Sequence, residues 1–558
     1  MASKEVSDEV ENVPNLDRTR TIDVDNYHGL NTKIILVYLA SAFIVAAQVM
    51  NLVGAGTFAR DIAAVVGGSS ESVWLSQVIA ILTCVVGPPV SQAADYWGRK
   101  WFISILTAFG FVGSIVVSRA TSMNMAIAGQ VICGVAYGAQ PLVYAVASEI
   151  LPRKFRPAAQ GGVNIALGLG GIFGLLTGSA LSKNSPQGFR TFWYIVGGIL
   201  GLAAILFAVL YTPPPRQLQA TLTNAEKLRQ LDWIGYGFLM TGVVLFSMGL
   251  SWAQNPYKWT DAHVLAPLVA GAVLLICLVV YETWFKRDGM FNHELFKRDR
   301  NFGLALGCFF ADGIVFFAAN AYFGMEMSIL FETDPLRVGL RFCMLFFAAM
   351  PAAAFVSVYS SATRDIRSPI IGFFVLATVF FICMATATIQ SSTAAWIYMA
   401  LLGLGTGLGL TCIVTAAQLS APPDLIAISS GLVFSVRSLG GSIALAIYNA
   451  IFRASLDKHM GKGIASAVIP LGLSPSVLPD FITALTSQNQ KALMSIPTVS
   501  PQIIKAGAAA LKQAYLVSFR GVWIAAGVLS FVTLIASCFF INPKKDLNMH
   551  VDAPLDDN

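Results

Sequence analysis

Two ionisable residues sit where an apolar chain has little room for them. Asp312 lies eleven residues beyond Asn301, the start of one apolar run, and Arg437 lies eleven residues beyond Ile426, the start of another. At 1.5 Å per helical residue each is about 16 Å deep, close to the middle of a hydrocarbon layer about 30 Å thick. Charges at that depth are expensive and usually functional. The chemistry open to the pair is proton exchange. Burial favours the neutral form of a carboxylic acid, whereas an adjacent guanidinium favours the charged form. An aspartate that meets its arginine in one state of a molecule and leaves it in another therefore binds a proton only in the second. The alternative is a permanent structural ion pair.

A second constellation is the stretch Ser91-Gln-Ala-Ala-Asp95-Tyr-Trp-Gly98-Arg99-Lys100, expected as a short charged turn between two apolar runs. Gly98 permits a positive φ just ahead of a bulky apolar helix. Asp95 at a helix boundary can cap it or face a positive helix end. Arg99 and Lys100 stand at the water line, where positive charge marks the cytoplasmic side of a membrane protein.

The elements that must carry these residues are membrane helices. The chain of 558 residues is 56% hydrophobic and 12% charged, with a mean hydropathy of +0.68, which places it in the all-α polytopic class. Residues 1–32 read as a polar cytoplasmic tail without the regions of a secretory signal. Residues 33–211 hold six apolar spans: Ile34 to Ala55, Val73 to Ala94, Trp101 to Ser118, Met123 to Leu151, Ala158 to Leu181 and Phe192 to Tyr211. Residues 212–300 hold a stop at Thr212-Pro-Pro-Pro215, a polar linker and two accessory spans, Trp233 to Trp252 and Val264 to Phe285. Residues 301–541 hold a second six: Phe302 to Phe323, Val338 to Ser360, Ile370 to Thr388, Ala395 to Leu419, Ile426 to Phe452 and Phe519 to Ile541, with 454–518 as a long outside loop. Residues 542–558 form the final tail. The expectation is fourteen spans, two six-helix bundles plus two accessory helices.

An even count puts both termini on one side. Loops on that side carry Arg99, Lys100, Arg153, Lys154, Arg156, Arg216, Lys227, Arg229, Lys286, Arg287, Lys297, Arg298, Arg300, Arg364 and Arg367, against Arg60, Arg119, Lys183, Arg190 and Lys258 opposite. The positive-inside rule then makes the termini cytoplasmic. The same scatter of cations, with no continuous basic patch, argues against a nucleic-acid partner. The cysteines fall singly inside apolar runs, as packing residues do. The histidines lie in tails, loops or at a helix end, so no metal site or imidazole-based catalytic site is visible. Neither an enzyme nor a cofactor is expected.

Asp-x-x-Gly-Arg-Lys at 95–100 resembles the loop between the second and third helices of the major facilitator superfamily of secondary transporters, with Ser91 in place of the family's leading glycine. The fourth span, Gly129-Gln130-Val-Ile-Cys-Gly134-Val-Ala-Tyr137-Gly138-Ala-Gln140-Pro141, is similar to the family's fourth-helix motif, with Gln130 where arginine is common. A neutral amide carries no fixed charge, so Gln130 is either part of a modified proton relay with Asp312 and Arg437 or interhelical glue. The exit Ser148-Glu149-Ile-Leu-Pro152-Arg153 also resembles the family. The resemblance implies that Glu149 meets Arg99 and Asp95 in a charge cluster which, with Gly98, Lys100 and Arg153, acts as a conformational latch.

In the fifth span Gly170, Gly174 and Gly178 recur on one face, without the proline of drug antiporters, and read as packing. Ser429-Ser-Gly431 to Gly440-Gly441 is similar to a helix of fourteen-span exporters. The whole chain resembles the fungal branch that contains trichothecene efflux pumps and siderophore transporters.

The resemblance implies alternating access and proton-coupled export of a small hydrophobic organic compound, as toxin export or multidrug resistance would require. The cavity-facing candidates are the polar and aromatic residues at mid-depth: Gln48, Asn51, Tyr137, Gln140, Tyr144, Asn320 and Tyr448. Its partners would be the lipid bilayer, the substrate and protons, in the plasma membrane or else the vacuolar one. A ferric-siderophore importer of the same fold is the alternative, and a non-transporting membrane sensor a more distant one.

Overall fold

The computed structural model describes residues 31–552 other than 69–70, 73, 214–218, 220, 254–256, 287, 333, 487–489 and 497–498. Residues 1–30 of the expected first tail, 214–215 of the proline stop and 553–558 of the expected last tail lie outside the described residues. Among these there is no β-strand beyond one isolated bridge, and 14 helices are long and apolar enough to cross a membrane. In chain order they are α1 (Thr32–Thr57), α2 (Trp74–Trp97), α3 (Lys100–Ser118), α4 (Met123–Glu149), α5 (Arg156–Asn184), α6 (Gly188–Leu210), α7 (Trp233–Trp252), α8 (Ala262–Phe285), α9 (Asn301–Leu330), α10 (Pro335–Thr363), α11 (Arg367–Thr386), α12 (Ala394–Ser420), α13 (Ile426–Val468) and α14 (Pro501–Ser537).

Helices α1 to α6 pack among themselves, as do α9 to α14. The halves meet mainly where α5 lies on α10 and α2 on α13. Small residues make these seams, because helices in lipid associate by close packing rather than by a hydrophobic drive. A Cβ at Gly161 of α5 would lie 3.0 Å from the Ala353 carbonyl oxygen of α10, and one at Gly431 of α13 would lie 3.2 Å from the Gly87 carbonyl oxygen of α2. The accessory α8 packs on α7, which in turn rests against α2 and α13. A Tyr236 hydroxyl bond to Gln92 ties α7 to α2. Linker residues Asn224–Gln230 form a short helix closed by a capping box of Thr223 and Glu226.

Two expectations change. Ser91 to Trp97 is helical and belongs to α2, so the charged turn shrinks to Gly98 and Arg99. The stretch is polar because Ser91, Gln92 and Asp95 are buried against other helices. The supposed outside loop 454–518 is largely helical as well. Helix α13 runs for 43 residues, about 64 Å at 1.5 Å per residue, roughly twice a hydrocarbon core. At its far end Ile464 and Val468 pack against Phe481 and Leu485 of Leu478–Thr486 and Ile503 at the start of α14. Membrane length limits the apolar run, whereas the helix continues for as long as its residues permit.

Candidate functional site

Helices α9 and α13 bring Asp312 and Arg437 together. Arg437 Nε donates to Asp312 Oδ2 at 2.5 Å. Asp312 is fully buried, and its Oδ1 has no hydrogen-bond partner among the described residues. The guanidinium carbon also lies 4.9 Å from the Phe316 ring centre and 5.6 Å from that of Phe309, within cation–π range. The backbones are held close at this level, since a Cβ on Gly313 would overlap the Arg437 carbonyl.

The pair faces a small cavity of about 30 Å³ at the junction of the two halves. Leu167, Phe316, Phe346 and Leu410 give it apolar walls, and Asn164 and Thr406 supply neutral polar groups. Asn164 comes from α5 in the first half. It accepts from the Tyr144 hydroxyl and donates to Thr411 Oγ1 of the second, both at 3.0 Å.

The expected cavity residues are placed elsewhere. Gln48 donates to the Ala136 carbonyl at 3.1 Å and accepts, through its own carbonyl, from the Tyr137 hydroxyl. Asn51 accepts from Trp193 at 2.8 Å and donates to Gln130 at 3.3 Å. Gln48, Asn51, Tyr137 and Gln130 thus join α1, α4 and α6 inside the first half, and Gln130 has no contact with the ion pair. Gln140 is buried, and Tyr448 is buried in the second half with its hydroxyl 3.4 Å from the Ile314 carbonyl. Asn320 is exposed on a π-turn of α9. None of these seven lines the cavity. Tyr144 is one hydrogen bond away, with its ring 4.7 Å from Phe434.

At the end of the bundle that carries the C-terminal segment 541–552, Arg99 pairs with Glu149 and, at 3.2 Å, with Asp95. Burial works against the charge of Arg99, but the Glu149 and Asp95 carboxylates outweigh it and hold its proton more tightly than usual. Asp95 Oδ2 also accepts the Ile428 N–H of α13 at 3.2 Å. It therefore sits on the positive end of a helix from the opposite half. Gly98 has φ +88°.

Lys100 and Arg153 are not in this cluster: Lys100 lies over the Trp101 ring, and Arg153 pairs with Asp552. Residues that the sequence reading passed over join the halves here. Gln418 Oε1 accepts from Ser148 at 2.5 Å and Gln160 at 3.0 Å, and the Ser435 hydroxyl reaches the Cys84 carbonyl at 2.5 Å. Amides inside apolar runs were the available signal for Gln160, Asn164 and Gln418; Asp552 offered none.

The sequence matches the Major Facilitator Superfamily over residues 34–445. The MFS-type transporter prx5 of Penicillium rubens is 27% identical over 433 residues, 75% of this chain and 76% of that one. The MFS-type efflux transporter ffsH of Aspergillus flavipes is 24% identical over 495 residues, 87% of this chain and 82% of that one. The human organic anion transporter MFSD10 shares the fold, with a TM-score of 0.52 over 90% of this chain and 100% of that one, at 12% identity.

Proposed function

The chain belongs to the Major Facilitator Superfamily, and we propose on that footing that it exports a small hydrophobic organic compound by alternating access, driven by proton antiport. The observation that carries the proposal is the buried Asp312–Arg437 pair on the wall of a mostly apolar cavity between the halves. Apolar walls with few polar anchors suit a weakly polar ligand, which the small cavity would admit once the halves part. Among the described residues the one ion-pair partner of Asp312 is Arg437, and a carboxylate that alternately meets and leaves a guanidinium is a fitting proton carrier. Export is favoured because ffsH and one further relative, phmH of Phaeosphaeria nodorum, are named as efflux transporters.

The excess of cations on the tail-bearing side supports cytoplasmic termini, and a plasma or vacuolar membrane fits such a protein. In this orientation the cytoplasmic end is the one joined by Asp95 and Gln418, and the Asp95–Arg99–Glu149 cluster serves as the latch that exchanges partners when the halves rock. Gly98→Val is expected to insert normally yet lose transport. A β-branched residue at φ +88° costs roughly 1–2 kcal/mol, and its Cβ would meet Gln219 Oε1 of the linker at 3.1 Å. Undiminished transport by both Gly98→Val and Asp95→Ala would remove this turn from the mechanism.

The test of the function is to delete the gene and compare retained with secreted metabolites. An organic compound that builds up inside deleted cells, and is taken up by vesicles with the tail-bearing face outward, is the expected result. Loss of ferric-siderophore uptake with an unchanged secretion profile would sink the export reading and leave the importer.

A further inference from the structure

Residues 541–552 leave α14 and run across the tail-bearing face from one half to the other. They are fixed first to the second half. The Ile541 backbone exchanges hydrogen bonds with the Asn301 side chain at 2.9 and 2.7 Å. Asn542 Oδ1 accepts from the N–H groups of Ile366 and Arg367, both at 3.0 Å, and Asp546 pairs with Arg298.

The segment then reaches the corner between α4 and α5 in the first half. Lys154 N–H donates to the Asn548 carbonyl at 2.7 Å and Arg153 N–H to that of His550 at 2.9 Å. Asp552 ends the crossing: Arg153 Nη2 donates to Oδ1 at 2.5 Å and Arg156 Nη2 to Oδ2. Arg156 also donates to the Gln418 carbonyl of α12 at 3.1 Å. Leu547 and Val551, within the strap, are buried.

We propose that residues 546–552 form a clasp which holds the two halves together at the tail-bearing end, and that its release is a required step in opening that end. The contacts bridge bodies that must separate there, so separation has to break the Asp552 pairs or peel the strap from Asn301, Ile366, Arg367 and Arg298. Two backbone hydrogen bonds and a carboxylate shared by two guanidinium groups are stronger than an ordinary surface contact. Burial pushes the Asp552 carboxyl up, but hydrogen bonds from Arg153 and the charges of Arg156, Arg153 and His550 outweigh it and hold it below the usual range. A depressed carboxylate contributes stability above its unfolded value of about 3.9, lost only as pH falls through the lower folded value. Neutral pH therefore leaves the clasp shut, and release comes from movement of the halves.

The inference rests on the alternating-access reading only for its consequence in transport, and its test needs no substrate. Hydrogen exchange is followed in the purified full chain, in Asp552→Asn and in a chain stopped after Leu547. Amides of residues 145–151 and 417–430 are expected to exchange about tenfold faster in both variants, through easier local opening. Acceleration confined to residues 152–156 would mean that the strap docks without holding the halves, and overturns the proposal. Lys154→Cys combined with Asn548→Cys provides the opposite arm. Once oxidised, it is expected to exchange more slowly than the wild type at 145–151 and 417–430 and to recover on reduction; no difference also overturns it. Failure in these measurements leaves the transport reading standing, whereas a normal clasp in a protein that moves no compound defeats that reading alone.

Discussion

Asp312→Asn is expected to abolish substrate accumulation driven by a pH gradient in reconstituted vesicles while leaving substrate exchange across the same membrane intact. The asparagine is close in shape to the aspartate, keeps an acceptor 2.5 Å from Arg437 Nε, and can neither gain nor lose a proton. If the ion pair separates during the cycle, the variant still alternates but carries no proton. If the pair is permanent, the outcome differs. Removing one partner of a buried pair costs about 3–5 kcal/mol, discounted here because 16% of the Arg437 side chain is exposed. Asp312→Asn would then lower yield and melting temperature, and Asp312→Asn combined with Arg437→Gln would restore them. Undiminished proton-driven accumulation by well-folded Asp312→Asn would falsify the coupling role.

Arg99→Leu is expected to be the most damaging single change at the tail-bearing end, and to act through folding. The Arg99 and Glu149 side chains are each 1% exposed and that of Asp95 is 4% exposed. Removing the cation strips two buried carboxylates of it at a cost of about 3–5 kcal/mol, a large part of a typical stability. Arg99→Lys recovers only part of the loss, because one ammonium lacks the planar fork that reaches both carboxylates. Arg99→Leu combined with Glu149→Leu should recover more, since apolar replacement of a whole buried pair is often neutral. The readout is the size-exclusion profile and melting temperature of the solubilised protein. A monodisperse Arg99→Leu that melts with the wild type would show that the cluster contributes little to stability.

Much of this was legible in the chain. The fourteen spans follow from hydropathy, a local property that survives any arrangement of neighbours. The depth of Asp312 and Arg437 follows from counting residues along a helix of fixed rise, and Gly98 in a tight turn from the one residue type that takes positive φ without strain. What the sequence could not supply was which way each span faces. In a soluble helix the apolar stripe marks the buried face, but lipid is as apolar as a helix interface, so a membrane span shows no such stripe. Its rotation is set by the helices it meets.

For that reason Gln48, Asn51 and Tyr137 stood among the cavity candidates and Asn164 and Thr406 did not, although nothing in the sequence separates the two sets. Tertiary packing turned the first three into bonds between α1, α4 and α6 and the other two into the lining of the cavity. The same limit hid the tail. Asp552 is one acid in a polar end until folding brings it, across some 400 residues of chain, to Arg153 and Arg156; contacts at such separation are made by the assembled bundle and leave no mark in the local sequence.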